Sequence, residues 1–283
     1  MKRSVKKIVG LLPLIALYLF VGQEVLAQFG PMGYNPNSVR PILESDIMYR
    51  TTVTRQINLL EKQNKPFFSA ENEITRVIIE AVKAKKIQPY RYTISPTNNG
   101  LTDPMPHAEF VSKLKYYDSQ VGDSVELKPT QLFLLEMKED LIFDRRRSRM
   151  YWDIQVITIV VPQGTNDDTQ MGAVRLASFS FKELHAYFTE TYRESEKKGT
   201  IEDVRAFWYN PENPRRHMSL ADAFDLRLFS SRITKVSNPD DKSIQEIVTD
   251  EYGTHPDVPK KVLYMSQKIE YDLMEYEHNL WEY

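Results

Sequence analysis

The sequence predicts an α+β fold: mainly antiparallel central strands at about 150–181, flanked by amphipathic helices. Three observations point to it. Residues 150–161 alternate Ile154, Val156, Thr158 and Val160 with Ile157 and Val161 in a β-branched run that stops at Pro162. Residues 173–181 alternate Val174, Leu176 and Ser178 against Ala177, Phe179 and Phe181, and the polar loop 163–172 between the two runs fits a hairpin. On both sides of this pair the apolar period lengthens from two to about 3.6, the mark of helices packed on a sheet.

Taken in order, residues 44–62 place Ile47, Val53, Ile57 and Leu60 at near-helical spacing, which predicts a first helix. Ser69 is then positioned as a cap, and Ile74, Val77, Ile78, Ala81 and Val82 form one apolar stripe of a second helix. After Pro89, the alternation of Tyr90, Tyr92 and Ile94 predicts a short strand, and residues 96–106, with Asn98-Asn99-Gly100, a loop. Residues 107–128 carry little pattern. In residues 129–140, Leu132, Phe133, Leu134, Leu135 and Met137 suit a buried strand and a short helix equally. Beyond the hairpin, Leu184, Tyr187, Phe188 and Tyr192 share a helical face, and a loop rich in Pro and Asn follows at 210–217. Ser219 caps a helix bearing Leu220, Ala223, Phe224, Leu228 and Phe229. From Pro259 a charged helix carries Leu263, Ile269, Leu273, Tyr276 and Leu280.

The N-terminus reads as an export signal. Lys2, Arg3, Lys6 and Lys7 precede an apolar run at 8–21, and Val25 and Ala27 occupy the −3 and −1 places of a cleavage site that would make Gln28 the first mature residue. The run is shorter than the ~20 residues of a spanning helix and is broken by Pro13 and Gly22. The expected organisation is a cleaved signal peptide at 1–27, a flexible leader at 28–43 and a single domain at 44–283. Cleavage takes away four basic residues and Glu24, moving the formal charge from −2 to −5, a mildly acidic balance that argues against nucleic acid. The chain has no cysteine, which excludes disulfides, thiol nucleophiles, thiolate metal sites and lipid attachment at the cleavage site.

Chemistry is sparse. The five histidines, His107, His185, His217, His255 and His278, show no metal-ligand spacing. There is neither a Gly-x-Ser-x-Gly turn nor a glycine-rich phosphate loop. Glu136, Glu139 and Asp140 are carboxylates of the kind a hydrolase pairs, although such spacing on a polar stretch is usually a solvated face. No catalytic residue, metal or cofactor is expected. Two features suit partner binding instead. Arg145, Arg146, Arg147 and Arg149 cluster before the central strand, where guanidiniums either grip an acidic partner or lipid headgroups or decorate a solvated turn. Aromatic residues gather at Phe207, Trp208 and Tyr209 and at the terminal Trp281 and Tyr283, which pack against the chain itself or against a partner.

Several blocks then act together: Asp46-Ile47-Met48; residues 57–66, with Glu61-Lys62-Gln63-Asn64-Lys65-Pro66; the helix at 72–83; and Phe143-Asp144-Arg145 with Ser148 and Met150. Further along stand Tyr209-Asn210-Pro211-Glu212-Asn213, then Phe229-Ser230-Ser231 and Ser237-Asn238, and finally residues 276–283. Their order and spacing resemble the GldN/PorN family of the type IX secretion and gliding machinery of Bacteroidetes. Two places depart from the family pattern. Trp152-Asp153-Ile154-Gln155 stands where a basic residue followed by apolar ones is expected, and Asn213-Pro214 replaces Asn-Asp.

The resemblance implies a periplasmic structural subunit held at the outer membrane in a ring-like complex. Its implied partners are a GldK/PorK-type lipoprotein, the periplasmic part of a GldM/PorM-type inner-membrane protein and further copies of itself. It brings no catalytic residue. The rival readings are a periplasmic hydrolase using an Asp/Glu pair and a chaperone-like binding module for exported cargo.

Overall fold

In the computed structural model, the described residues are 33–93, 97–118, 123–165, 169, 172–197, 204–213, 215–253 and 255–280. The expected cleavage site at Ala27 and Gln28 lies outside them, as do Trp281 and Tyr283. The strands are β1 (Ile47–Asn58), β2 (Lys115–Asp118), β3 (Asp123–Glu126), β4 (Leu134–Asp144), β5 (Arg149–Val161), β6 (Val174–Ser180), β7 (Phe207–Trp208), β8 (Met218–Ser219) and β9 (Arg232–Val236). The helices are α1 (Ile74–Lys83), α2 (His107–Lys113), α3 (Phe181–Glu196), α4 (Leu220–Asp225), α5 (Ile244–Tyr252) and α6 (Val258–Leu280). The fold is α+β. One five-stranded sheet, in the order β6-β5-β4-β1-β9 with every neighbouring pair antiparallel, forms its centre, and β2-β3 and β7-β8 are two small ribbons.

The predicted hairpin forms as β5 and β6, but the sheet is wider than the sequence pattern indicated. Within residues 129–140, compatible with strand or helix, strand β4 begins at Leu134, and it pairs along β5 from Leu134 opposite Val160 to Asp144 opposite Arg149. The predicted first helix is instead strand β1, which joins β4 to β9. The reason is legible once the partners are known. Thr51, Thr52, Val53 and Thr54 form a run in which β-branched residues favour the pleat. Val53, Arg55 and Ile57 are the buried alternate positions, and the arginine among them disguises the period of two.

Registers across the sheet sort the two faces. Ile57, Leu135, Ile159 and Ala177 form one cross-strand row, and Met137, Ile157 and Phe179 lie in the next. These residues join α1, α3 and α4 in the main core, with Phe67, Phe181, Leu184, Phe188 and Phe224. Val53 and Ile233 belong to a second cluster with Ile244 and Val248 of α5 and the inner face of α6, namely Val258, Val262, Met265, Ile269 and Leu273. Leu263, grouped by spacing with Ile269 and Leu273, is exposed. The opposite side of the sheet is polar, with rows such as Gln56, Glu136, Thr158 and Ser178.

Smaller features also differ from the sequence reading. Tyr90 makes isolated bridges to Pro104 and to Ser178, exchanging backbone hydrogen bonds of 2.8 and 2.9 Å with Ser178, so it touches the edge of β6 instead of starting a strand; Ile94 lies outside the described residues. Ser69 does not cap α1, whose N-cap position is Glu73. Ser219 does cap α4, accepting the Ala221 N–H. The N-terminal segment lies on the body: Asn35 donates to the buried Gln155, Asn37 to Asn98, and Lys182 to the Pro36 carbonyl.

One buried amide ties distant loops. Asn64 is fully buried, and its Nδ2 donates to the carbonyls of Asn58 (2.8 Å) and Ser230 (2.9 Å) while its Oδ1 accepts the Ser230 N–H at 2.7 Å. Truncation strands those backbone groups away from water, so Asn64→Ala is expected to lower unfolding stability by about 2–4 kcal/mol. Urea denaturation should show this as an earlier midpoint at an unchanged slope.

Candidate functional site

The most highly charged feature of the sequence becomes the turn between β4 and β5. Asp144 ends β4 with its carboxylate 1% exposed, accepting the N–H groups of Arg146 (2.8 Å) and Arg147 (3.3 Å) and the Arg147 guanidinium at 2.7 Å. Burial alone would raise the Asp144 carboxyl, but these donors together hold it below the usual carboxylate range. Ser148 takes a left-handed conformation, φ 49°, which turns the chain back into β5. Arg146 lies 3.5 Å from Asp46, and Arg145 donates to the Ser45 carbonyl at 3.5 Å. Arg149 opens β5 opposite Asp144, and all four arginines are exposed.

Beneath the helices lies a second charged group, which sequence reading took for a solvated face. Glu139 is 0% exposed and accepts from Arg55 Nε at 2.6 Å and from Arg227 at 2.7 and 3.1 Å. Arg55 also donates to Glu270 of α6 at 2.9 Å, which makes a group of two cations and two anions. Both guanidiniums lie over the Trp152 ring, at 4.7 and 5.0 Å from its centroid. Trp152 is one of the departures from the family pattern, and here it holds this group together. Glu136 is engaged by Arg175 at 2.7 Å, and Asp140 accepts from Thr52 at 2.8 Å. The three candidate carboxylates are thus each occupied by a different partner.

The aromatic trio divides. Phe207 stacks on His217 at 4.4 Å, Trp208 is half-buried against the main core, and Tyr209 remains exposed. The histidines stay apart. His107 binds the Ile87 carbonyl, His185 lies 3.4 Å from Asp225, and His217 Nδ1 accepts the Asn210 N–H while burial lowers the pKa of its ring. Among the described residues no group of His, Cys, Asp and Glu is placed to hold a metal ion.

On the polar side of the sheet Asp140 stands directly opposite one further acid, the half-buried Asp153, across β4 and β5. Burial raises both. Asp153 reaches about 6 although it accepts from Gln155 at 2.6 Å, and the Asp140 charge adds to its shift. Asp153 borders a cavity of about 460 Å³ lined by Val39, Ile42, Trp152, Phe181 and Phe224; Asp140 is not part of that lining. A second cavity, of about 440 Å³, lies over Thr54, Glu136, Lys138, Thr158 and Arg175, where burial lowers the Lys138 ammonium.

The family profile described as "Gliding motility associated protein GldN" matches residues 42–282. The chain belongs to the GldN family. No curated protein matches it. Membership associates the chain with gliding motility and type IX secretion, and GldN is not known as an enzymatic family. The blocks that carry the resemblance are junctions of the GldN fold. Asn64 of the Glu61-to-Pro66 turn bonds to Ser230 of the Phe229-Ser230-Ser231 block, and the Pro66 carbonyl accepts the Tyr209 N–H at 2.9 Å. Asn210 folds its own loop, accepting the N–H groups of Glu212 and Asn213. The Trp152-to-Gln155 departure coincides with a bulge, since Gln155 is skipped between the pairs Lys138 with Val156 and Glu139 with Ile154. Pro214 lies outside the described residues.

Two outcomes follow from the buried charges. Glu139→Gln leaves two guanidiniums without their shared anion and is expected to cost about 3–5 kcal/mol of unfolding free energy, measured by chemical denaturation. Asp153 is protonated more readily in the folded chain than in the unfolded one. Stability is therefore expected to fall as pH rises from about 4, where the unfolded carboxyl ionises, to about 6, its folded value, and to change little from this group above that. Asp153→Asn should flatten this slope, gaining stability at pH 8 relative to the parent and little at pH 4.

Proposed function

We propose that this GldN-family chain is a periplasmic structural subunit of the type IX secretion and gliding machinery, released from its signal peptide after Ala27. In this reading it is held at the outer membrane by a GldK/PorK-type lipoprotein in a ring-like complex. It also contacts the periplasmic part of a GldM/PorM-type inner-membrane protein. Among the described residues no helix is long and apolar enough to cross a membrane, which fits attachment through a partner.

The observation that carries the proposal is the division of labour among the charged and aromatic groups. Glu136, Glu139 and Asp140, the three candidate carboxylates of the sequence, are committed to internal partners, and the family blocks serve as fold junctions. What remains available is surface. The arginine turn stands exposed on a backbone pinned by Asp144, and Arg145, Arg146, Arg147 and Arg149 are our proposed contacts for an acidic partner. Tyr209, whose ring lies 5.0 Å from the His217 ring that Phe207 stacks on, is a second proposed contact, and the terminal Trp281 and Tyr283 a third.

Affinity isolation of the tagged chain from detergent-solubilised envelopes tests the proposal. It should recover the outer-membrane lipoprotein and the inner-membrane protein in a large assembly. Changing Arg145 and Arg149 together to Glu, with Arg147 kept to hold Asp144, is expected to reduce recovery by about tenfold or more, about 1.4 kcal/mol or more, with thermal unfolding unchanged. Recovery of the chain alone, or an assembly indifferent to the charge reversal, would overturn the assignment of this turn.

A further inference from the structure

The polar side of the sheet is set by the alternation that the core imposes. On β1, Val53, Arg55 and Ile57 point inward, so Thr52, Thr54 and Gln56 point the other way. Register then places Lys235, Thr54 and Lys138 in one cross-strand row of β9, β1 and β4, with Arg232, Gln56, Glu136, Thr158 and Ser178 in the next. Both rows line the cavity of about 440 Å³. Asn99, Ser237 and Tyr92 line it too, and the Arg175 guanidinium lies 4.4 Å from the Tyr92 ring centroid.

Some of the charges in this basin are matched. Lys235 pairs with Asp241 at 2.6 Å and Arg175 with Glu136 at 2.7 Å, while Asp140, on the same face of β4, accepts from Thr52. Lys138 is different. Its ammonium forms no ion pair or hydrogen bond among the described residues, although burial makes its charge costly. The exposed Arg232 likewise has no ion pair among them, and the Thr54 hydroxyl and Gln56 amide, on the strand between these two cations, make no hydrogen bond.

A cation taken from water without an anion costs folding free energy, and an oxyanion entering the basin supplies the missing charge. A lone oxyanion would use only part of the lining. The volume lies in the range of small-molecule sites, and hydroxyl and amide side chains, which both donate and accept, suit ligand hydroxyls. An apolar ligand would leave them unpaired.

We propose that this basin binds an acidic sugar, a small polyhydroxylated ligand carrying a carboxylate or a phosphate. Lys138 and Arg232 hold the oxyanion, Thr54 and Gln56 meet it and the neighbouring hydroxyl, and Tyr92 offers an apolar surface to the C–H bonds of the ring. The site lies on the opposite side of the sheet from the charge group around Trp152 and uses none of the proposed partner contacts.

Isothermal titration calorimetry of the chain lacking only residues 1–27 tests the site with glucuronate, glucose 6-phosphate, glucose and inorganic phosphate. At least one of the two acidic sugars should bind saturably at one site, with glucose and phosphate each about tenfold or more weaker. The preferred acid tells a carboxylate ligand from a phosphorylated one. Lys138→Met should weaken that binding by about tenfold or more, while the unliganded variant unfolds at the parent's temperature or above it, because a costly charge is gone. Thr54→Val, which keeps the side-chain shape, should weaken binding with thermal unfolding unchanged. No saturable binding of either acidic sugar at millimolar concentration, binding of glucose or inorganic phosphate as tight as that of the acids, or undiminished binding in either variant would each overturn the inference.

Discussion

The constraint on which the rest of the architecture depends is the neutral group of Arg55, Glu139, Arg227 and Glu270 around Trp152. It joins β1, β4, β5, the segment after α4 and α6 at one place on the helix-covered face of the sheet. A buried ion of this kind is tolerated only when it is matched and fully hydrogen-bonded. Each of these elements must therefore arrive in register before the others are satisfied. Apolar packing supplies most of the driving force, but it is non-directional. The charge group fixes which element lies where, and it marks the border between the main core and the smaller cluster beneath α5 and α6.

The sheet is one-sided, and its edges are handled locally. The Ser266 hydroxyl donates to the Ile233 carbonyl at 2.8 Å, so α6 is fastened to the edge strand β9. At the other edge Tyr90 occupies the backbone groups of Ser178 on β6. Unpaired edges template further strands, and both edges here are engaged at one point by another part of the chain. The polar face keeps Glu136 with Arg175 and Lys235 with Asp241, while Lys138 carries a charge that burial makes costly.

Legibility in the sequence followed the simplicity of each environment. The β5–β6 pair was readable because one face of each is apolar without interruption, and α1 because its stripe meets a uniform core. Strand β1 was not, since Arg55 occupies an inward position that only a distant Glu139 justifies, and a single sequence does not say which residues will be neighbours. The same limit hid the burial of Glu139 itself. Helix α5 and strand β9 were missed because they are short and complete a cluster whose other members come from α6 and β1. The arginine turn was visible as composition, but its anchoring by Asp144 was visible only in three dimensions.

That anchoring bears on how this turn would hold a partner. Long cationic side chains lose much rotamer freedom when a partner immobilises them, and a mobile backbone beneath them would add to the loss. Here the backbone share is already met, since the Asp144 carboxylate holds two successive amides and Ser148 closes the turn. A partner that engages the arginines has only to order the side chains. The same reasoning applies to Tyr209, whose backbone N–H is tied to Pro66 while its ring stays exposed. In both places a backbone amide is held by another part of the chain while the side chain stays exposed. The family blocks can therefore lie in the interior and still determine what the surface is able to hold.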